Sequence, residues 1–229
     1  MIPSYDGIQF KEAIMTVTTM FMTMLPGMFR TIAIFVLTLV FALPLGMVIM
    51  LMRQSRLKIT SSLTKIFIAI MRGTPLMLQL LVWYFGPYYL FGMPIGGYRF
   101  TAIILGFSLN YAAYFSEIYR AGLEAIPIGQ YEAADVLGYS RNQTFFKIIL
   151  PQLIKTILPA MTNEVITLVK DTSLAFALAY SEVFSIAKQI SSSQTSFIPF
   201  VISGLFYFIA NYAVAFGMER IEQMFKYYD

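Results

Sequence analysis

Long apolar runs separated by short polar segments extend along most of the chain. An α-helix needs about 20 largely apolar residues to cross a bilayer. Residues 31–52, 100–119 and 197–218 meet this requirement without interruption. Residues 66–90 and 157–180 contain glycine, proline or charged positions and are predicted to be interrupted spans. The pattern therefore predicts an all-α membrane protein with five transmembrane helices.

A shorter amphipathic pattern precedes the first span, at residues 10–25. Apolar residues occupy one helical face, and Lys11, Glu12 and several threonines occupy the other. This pattern predicts a helix that lies along the membrane interface before Pro26-Gly27 turns the chain into the bilayer. An ordinary sixth span is the alternative, which the charged and hydroxyl-bearing face disfavours.

Basic residues are distributed unequally across this topology. The segments after the first and third spans, together with the C-terminal tail, hold eleven lysines and arginines, whereas the opposite side holds four. Lysine and arginine accumulate in cytoplasmic loops. We therefore expect a multi-pass protein of the cell (inner or plasma) membrane, with its N-terminus outside and its C-terminus in the cytoplasm.

Composition supports a membrane protein and excludes several kinds of chemistry. Hydrophobic residues make up 58% of the chain and charged residues 12%, against about 25% charged in soluble domains. The sequence contains no His and no Cys, which excludes Ser-His and Cys-His nucleophiles and disfavours a metal site. The net charge of +4 forms no basic patch of the kind that binds nucleic acid. We expect residues 1–229 to form a single non-catalytic transmembrane domain that binds no metal and no cofactor.

The segment between the third and fourth spans, residues 120–155, is too long and too organised for a simple turn. A short helix is predicted over residues 130–137, followed by a corner and a second helix. The residues that begin, end or disturb these helices are Pro127, Gly138, Ser140 with Gln143, and Pro151. We call residues 120–155 the coupling loop.

The coupling loop contains a long pattern of fixed spacing. Glu132-Ala133-Ala134 is followed after three residues by Gly138, and after nine more by Ile148 and Leu150-Pro151. This spacing resembles the EAA signature of membrane permease subunits of ATP-binding-cassette (ABC) importers. Further segments resemble the polar amino-acid uptake branch of that family: Arg72-Gly73-Thr74-Pro75-Leu76, Glu117-Ile118-Tyr119-Arg120, Ile126-Pro127-Ile128-Gly129-Gln130 and Lys170-Asp171-Thr172-Ser173-Leu174.

The resemblance implies a permease subunit that works by alternating access, with ATP and Mg held by a separate ABC ATPase subunit. Its further implied partners are a second permease subunit, either the same chain or a paralogue, and an extracytoplasmic amino-acid-binding protein. The phosphate-binding pattern G-x-x-x-x-G-K-[ST] does not occur in this sequence, which agrees with ATP hydrolysis on another polypeptide. The expected substrate is a polar amino acid.

The short helix around Glu132 has the properties that an ATPase-coupling element requires. A capped, rigid helix transmits force, Ala133 and Ala134 permit close approach inside a groove, and Glu132 offers a charge to a basic partner. The alternative is an ordinary surface helix whose alanines only favour helix formation. We predict that Glu132, Ala133, Ala134 and Gly138 couple this chain to the ATPase.

A polar stripe runs along the predicted fourth span. Its members, Asn163, Glu164, Thr167, Lys170 and Asp171, share an arc of about 120° and extend over about 12 Å of helix. Charged residues at the bilayer centre cost at least roughly 2.5–3.5 kcal/mol each. We therefore predict that the stripe faces the bundle interior or a water-filled cavity and lines the substrate path.

Two interpretations of the charged stripe residues remain open. Lys170 and Asp171 either contact substrate or pair with charged groups elsewhere, for which Glu117 and Arg120 are candidates. Glu164 has no cation nearby in the sequence, and contact with substrate is the corresponding hypothesis. The carboxylates favour a basic amino acid as substrate, an argument that Lys170 weakens. In the family that this chain resembles, the Lys-Asp-Thr-Ser segment lies near the translocation path.

The second and third spans carry helix-loosening or small residues. Gly73, Thr74 and Pro75 are predicted to interrupt the second span, either as a hinge or as a packing kink, and the freed backbone groups then need partners. Ala112 and Ala113 would let the third span approach the fourth closely.

A different class of function fits some of these features. An ATP-independent, ion-coupled carrier or channel would use charges inside the membrane, as found at Glu164, Lys170 and Asp171. The coupling loop would then have no role, and the sequence shows no inverted repeat. The importer is therefore the preferred hypothesis.

Overall fold

The computed structural model describes residues 5–225 and the side chains of residues 16–225. The described chain is helical throughout, with short connections. Its α-helices are α1 (Tyr5–Arg53), α2 (Lys58–Gly73), α3 (Leu76–Phe91), α4 (Arg99–Glu124), α5 (Ile128–Val136), α6 (Arg141–Thr144), α7 (Leu150–Asp171), α8 (Val183–Gln194) and α9 (Ile198–Met224). A π-helical turn at Phe145–Ile149 joins α6 to α7, and a 3-10 helix at Thr172–Leu178 continues α7.

The first helix is continuous where the sequence predicts a turn. The prediction of a separate interfacial helix ending at Pro26-Gly27 is wrong, because α1 runs through both residues; its side chains before residue 16 lie outside the described residues. Gly27 instead allows α1 and α8 to pack closely, since a Cβ there would lie 3.0 Å from backbone atoms of Glu182 and Val183. The Pro-Gly pair therefore marks a helix–helix contact.

The fourth helix forms the centre of the main core. Ala112 of α4 faces α1, where a Cβ added to Gly46 would lie 3.1 Å from the Ala112 carbonyl oxygen. The sequence prediction placed this close approach against the fourth span, but α4 meets α7 at a different residue, Gly122. A Cβ on Gly122 would lie 2.8 Å from Cδ1 of Leu153. Gly46 thus lets α1 approach the backbone of α4, and Gly122 makes room on α4 for side chains of α7.

The predicted interruption of the second span is a complete break. α2 ends at Gly73 and α3 begins at Leu76, and the two helices are bent by 113° at this point. Within the part of the chain that the structure describes, three helices are long and apolar enough to cross a membrane, and the bent pair raises the number to four if it counts as one span. The structure therefore shows a multi-pass, all-helical protein among its described residues.

A buried carboxylate joins α8 to α9. Glu182 caps α8 by accepting hydrogen bonds from the backbone N–H groups of Phe184 and Ser185, and the Tyr207 hydroxyl donates to it over 3.0 Å. Burial raises the pKa of the Glu182 carboxyl to about 7, and these three hydrogen bonds oppose the rise because they favour the charged form. The carboxylate is thus the polar anchor of the second, smaller core around α8.

Candidate functional site

The first helix of the coupling loop ends at the glycine corner that the sequence predicts. Gly138 has a φ of +73°, in the left-handed region. Its N–H donates to the carbonyl of Asp135 over 2.9 Å, and the N–H of Tyr139 donates to the carbonyl of Ala134 over 3.0 Å. These two bonds form a Schellman motif, which satisfies the last carbonyls of α5. The corner is therefore a hydrogen-bonded structure.

The second helix of the loop begins with the predicted capping box. The N–H of Gln143 donates to the Ser140 hydroxyl, and the Gln143 side-chain oxygen accepts from the Ser140 N–H over 2.9 Å. Pro151, which has no N–H to donate, does not break this helix. A π-helical turn lies just before it, and α6 continues through this turn directly into α7.

The exposed surface of α5 is apolar and acidic. Glu132 is exposed and forms no ion pair or hydrogen bond with a described residue, and Ala133 is exposed beside it. Val136 is 88% exposed and Leu137 is almost as open. The prediction that Ala134 is presented to a partner is wrong, because Ala134 is only 1% exposed and packs inside the chain. Three of the four predicted coupling residues thus lie on the surface.

The polar stripe of α7 lies on the outside of the chain. Asn163 and Lys170 are exposed, whereas Glu164, Thr167 and Asp171 are half-buried. The opposite face of α7 packs into the core through Met161, Val165, Leu168 and Val169, as the helical period predicts. The predicted alternatives were the bundle interior and a water-filled cavity. The interior of a single chain does not enclose the stripe, whereas its residue Glu164 lines a cavity. Lipid cannot cover the stripe at low cost.

The charged stripe residues have different partners from those predicted. The Tyr111 hydroxyl of α4 donates to Oδ2 of Asp171 over 2.8 Å. Lys170 forms no ion pair with any residue that the structure describes. Asp171 is thus held by a neutral hydroxyl, and the predicted partners Glu117 and Arg120 lie in another cluster.

That cluster joins the ends of three helices. Glu117 of α4 pairs with Arg53 at the end of α1, with Arg72 at the end of α2 over 3.8 Å, and with Arg120 one turn along α4 over 3.0 Å. Arg120 also pairs with Glu124. Three guanidinium groups therefore surround one carboxylate.

A cavity of about 400 Å³ extends from this cluster to the polar stripe. Its walls include Arg72, Tyr114, Glu117, Thr156 and Glu164. The Arg72 guanidinium lies 5.1 Å from the centre of the Tyr114 ring, a cation–π contact. Sequence reasoning found no cation for Glu164 because Arg72 comes from a distant segment, which the break after α2 brings to this cavity. The cavity therefore offers both signs of charge to a ligand.

Two amide side chains hold the break between α2 and α3. Gln79 donates from Nε2 to the carbonyls of Met71 and Thr74 and to the Thr74 hydroxyl, over 2.8–3.1 Å. Asn110 of α4 donates from Nδ2 to the same Met71 carbonyl over 2.9 Å and to Oε1 of Gln79 over 3.0 Å. The freed backbone groups thus find protein partners, as predicted. Gly73, Thr74 and Pro75 form a braced corner, and this bracing fixes the direction of Arg72.

Replacing Asn110 by leucine is expected to lower the free energy of unfolding by about 1–3 kcal/mol, because a buried acceptor on Gln79 loses its donor. The melting temperature of the purified protein measures this loss. Ser108 offers a matched control on the same helix, because its buried hydroxyl has no hydrogen-bond partner among the described residues. Equal effects of Asn110→Leu and Ser108→Ala would contradict a specific role for the amide pair.

The helices, the exposed loop and the charged cavity define a membrane transport subunit. Residues 42–227 match the family described as the binding-protein-dependent transport system inner membrane component. The chain belongs to this family. Its members are transporter permease subunits, and the ATPase of these systems is a separate subunit.

Individual relatives and solved structures cover nearly the whole chain. The arginine transport system permease protein ArtQ of Bacillus subtilis (strain 168) is 36% identical over 203 residues, which are 88% of this chain and 92% of the relative. The L-cystine transport system permease protein TcyB of the same organism is 30% identical over 88% of this chain and 86% of its own. The crystal structure of an amino acid ABC transporter with histidines superposes with a TM-score of 0.81 and 31% identity, covering 93% of this chain and 97% of that one.

The inward-facing MetNI methionine ABC transporter shares the fold at 22% identity. Its TM-score is 0.69, and the match covers 91% of this chain and 98% of that one. These comparisons confirm the ABC importer permease that the EAA spacing indicates. They give no support to an ATP-independent carrier or channel.

Proposed function

We propose that this chain is the transmembrane subunit of an ATP-driven importer of polar amino acids. The observation that carries the proposal is the rigid corner at Gly138, which exposes Glu132 and is continuous with α7 and its polar stripe. A partner that moves the corner therefore moves the stripe. The matched family and the relatives named for arginine and cystine transport support an amino acid as substrate.

The exposed polar stripe supports a second permease subunit, either another copy or a paralogue. Asn163 and Lys170 lie on a surface that needs water or protein to cover it. Two such surfaces facing each other would enclose a polar path between the subunits, as alternating access requires. The path in this proposal includes Asn163, Glu164, Thr167, Lys170 and Asp171.

The proposed topology has five crossings, which are the three long apolar helices, the bent pair of α2 and α3, and α4 as the third in chain order. The helix α4 has 26 residues, enough for a length of about 39 Å, and its polar residues Ser108, Asn110 and Ser116 are buried. The excess of basic residues supports an outer N-terminus and a cytoplasmic C-terminus, which places the coupling loop in the cytoplasm. There α5 would dock on an ABC ATPase that binds ATP and Mg. An extracytoplasmic amino-acid-binding protein would deliver the substrate.

The cavity between Arg72 and Glu164 favours a zwitterionic substrate with an additional positive charge. Glu164 is half-buried and accepts no hydrogen bond from a described residue, so its carboxylate is available to an ammonium or guanidinium group. Arg72 on the opposite wall suits an α-carboxylate. We therefore propose a basic amino acid.

Purification of the chain together with its ATPase tests the function. The expected complex contains two permease subunits, and in vesicles it takes up a labelled amino acid only when ATP and Mg are present. The mass of the complex and the uptake rate are the measurements. A stable complex with one permease, or uptake by this chain alone without ATP, would refute the proposal.

A further inference from the structure

The helix α2 presents an apolar surface that the rest of the chain does not cover. Thr64, Ile68 and Met71 bury one face of α2 against the core. On another face, Ile59, Leu63, Ile66 and Ile70 are between 50% and 77% exposed. Their spacing places all four within an arc of about 60°. This apolar stripe of α2 has no partner within the described chain.

Basic residues flank the apolar stripe of α2. Residues 53–73 contain five lysines and arginines and no aspartate or glutamate. Arg53 and Arg72 both pair with Glu117. The other three, Arg56, Lys58 and Lys65, are exposed and form no ion pair with a described residue. Lys58 and Lys65 are seven residues apart and therefore lie on the same side of the helix. The surface is thus both apolar and cationic.

The direction of α2 suits a membrane surface. The bend of 113° between α2 and α3 turns α2 closer to the bilayer plane than to its normal when α3 crosses the membrane. α3 also exposes apolar residues, such as Leu78 and Val82. An in-plane helix with one apolar face and flanking lysines is typical of interfacial helices.

We propose that α2 binds anionic phospholipids of the cytoplasmic leaflet. Its apolar stripe enters the acyl-chain boundary, and Arg56, Lys58 and Lys65 contact the lipid phosphates. A protein partner that covered this surface would leave the three cations without counter-charges unless that partner were acidic. Anionic phospholipids supply negative charge in their headgroups and an apolar phase in the adjoining acyl chains. The leaflet assignment rests on the orientation given under the proposed function.

Lipid binding at α2 would act on the transport cavity. Arg72 is the penultimate residue of α2, and its guanidinium lines the cavity and contacts Glu117. The amide pair of Gln79 and Asn110 braces the corner just beyond it. A lipid that fixes the depth of α2 in the membrane therefore also fixes the position of the Arg72 guanidinium relative to Glu164.

Fluorescence quenching in lipid nanodiscs tests the contact directly. This chain contains no cysteine, so a single Ile66→Cys or Ser62→Cys carries the only label on it. The complex is assembled with cysteine-free partner subunits and labelled with an environment-sensitive fluorophore. Brominated phosphatidylglycerol and brominated phosphatidylcholine are compared as quenchers. A label at 66 is expected to be quenched by lipid, and a label at 62 by aqueous iodide.

The charge requirement has its own matched control. Each basic residue near an anionic membrane favours it by roughly fivefold. The preference for phosphatidylglycerol over phosphatidylcholine is therefore expected to fall by roughly 25-fold in Lys58→Gln/Lys65→Gln, which retains Arg56, and to persist in Lys58→Arg/Lys65→Arg. High salt is expected to weaken it by screening.

Three results would overturn the proposal. A label at 66 that is shielded from both lipid and iodide would indicate a protein partner. A label at 66 that is open to iodide would indicate bulk water. Equal quenching by the two lipids would show that the surface has no preference for the anionic lipid. Since quenching requires no transport, these results are independent of the importer proposal. Conversely, normal lipid quenching in a complex without ATP-driven uptake would refute the importer and leave the lipid contact standing.

Discussion

Replacing Glu132 by lysine is expected to abolish ATP-driven uptake while the permease remains folded. Glu132 is exposed and makes no contact of its own with charged groups of the described chain, so its loss costs the fold little. In the assembly, a reversed charge faces whatever basic group of the ATPase the carboxylate contacts. Such changes at a docked charge cost about 2–5 kcal/mol, and the affinity for the ATPase should fall at least roughly 30-fold.

Co-purification of the ATPase and ATP-dependent uptake in vesicles measure this effect. Glu219→Lys makes the same charge change at an exposed acidic residue of α9 and is expected to retain both. The melting temperature of the isolated permease should be the same for both variants. Full complex formation by Glu132→Lys would show that the ATPase grips another part of the chain.

The second large effect is expected from Glu164→Gln. Removing the carboxylate while keeping the shape takes away a charge-assisted hydrogen bond, which contributes about 1.5–3 kcal/mol. The apparent KM for arginine and lysine should therefore rise at least roughly tenfold, with a smaller change for glutamine. Competition of unlabelled amino acids against labelled arginine ranks the substrates in each variant.

Two controls separate charge from structure in that experiment. Glu164→Asp keeps the charge and should retain the preference for basic substrates, while Glu219→Gln removes an exposed carboxylate that does not line the cavity and should change nothing. Unchanged affinity and ranking in Glu164→Gln would remove Glu164 from the substrate site. The cavity would then be a structural ion-pair region only.

Short-range features were predictable because their causes lie within a few residues. The corner at Gly138 and the capping box of Ser140 and Gln143 depend on hydrogen bonds between near neighbours, and both are found where the spacing places them. The buried face of α7 follows from helical periodicity alone. The break at Gly73-Thr74-Pro75 was predictable in position for the same reason.

Errors arose where a local signal has more than one tertiary use. Proline followed by glycine usually ends a helix, yet Pro26-Gly27 sits inside α1 because Gly27 lets α8 pack against its backbone. The alanine pair suggests that both Ala133 and Ala134 are accessible, but Ala134 lies on the buried side of α5. The polar stripe of α7 was predicted to face the bundle interior or a water-filled cavity. In a single chain Asn163 and Lys170 are exposed, and Glu164 lines a cavity that the break after α2 helps to form.

The sequence by itself determined the membrane class, the position of the coupling loop and the family to which the chain belongs, because hydrophobicity and motif spacing are properties of the chain alone. Only the tertiary structure decided which charges meet. Tyr111 holds Asp171, Arg72 faces the cavity of Glu164, and Asn110 braces a break 39 residues away. Such pairs depend on how the helices cross and on the angle at which the chain bends between α2 and α3. Neither of these can be derived from a short stretch of sequence.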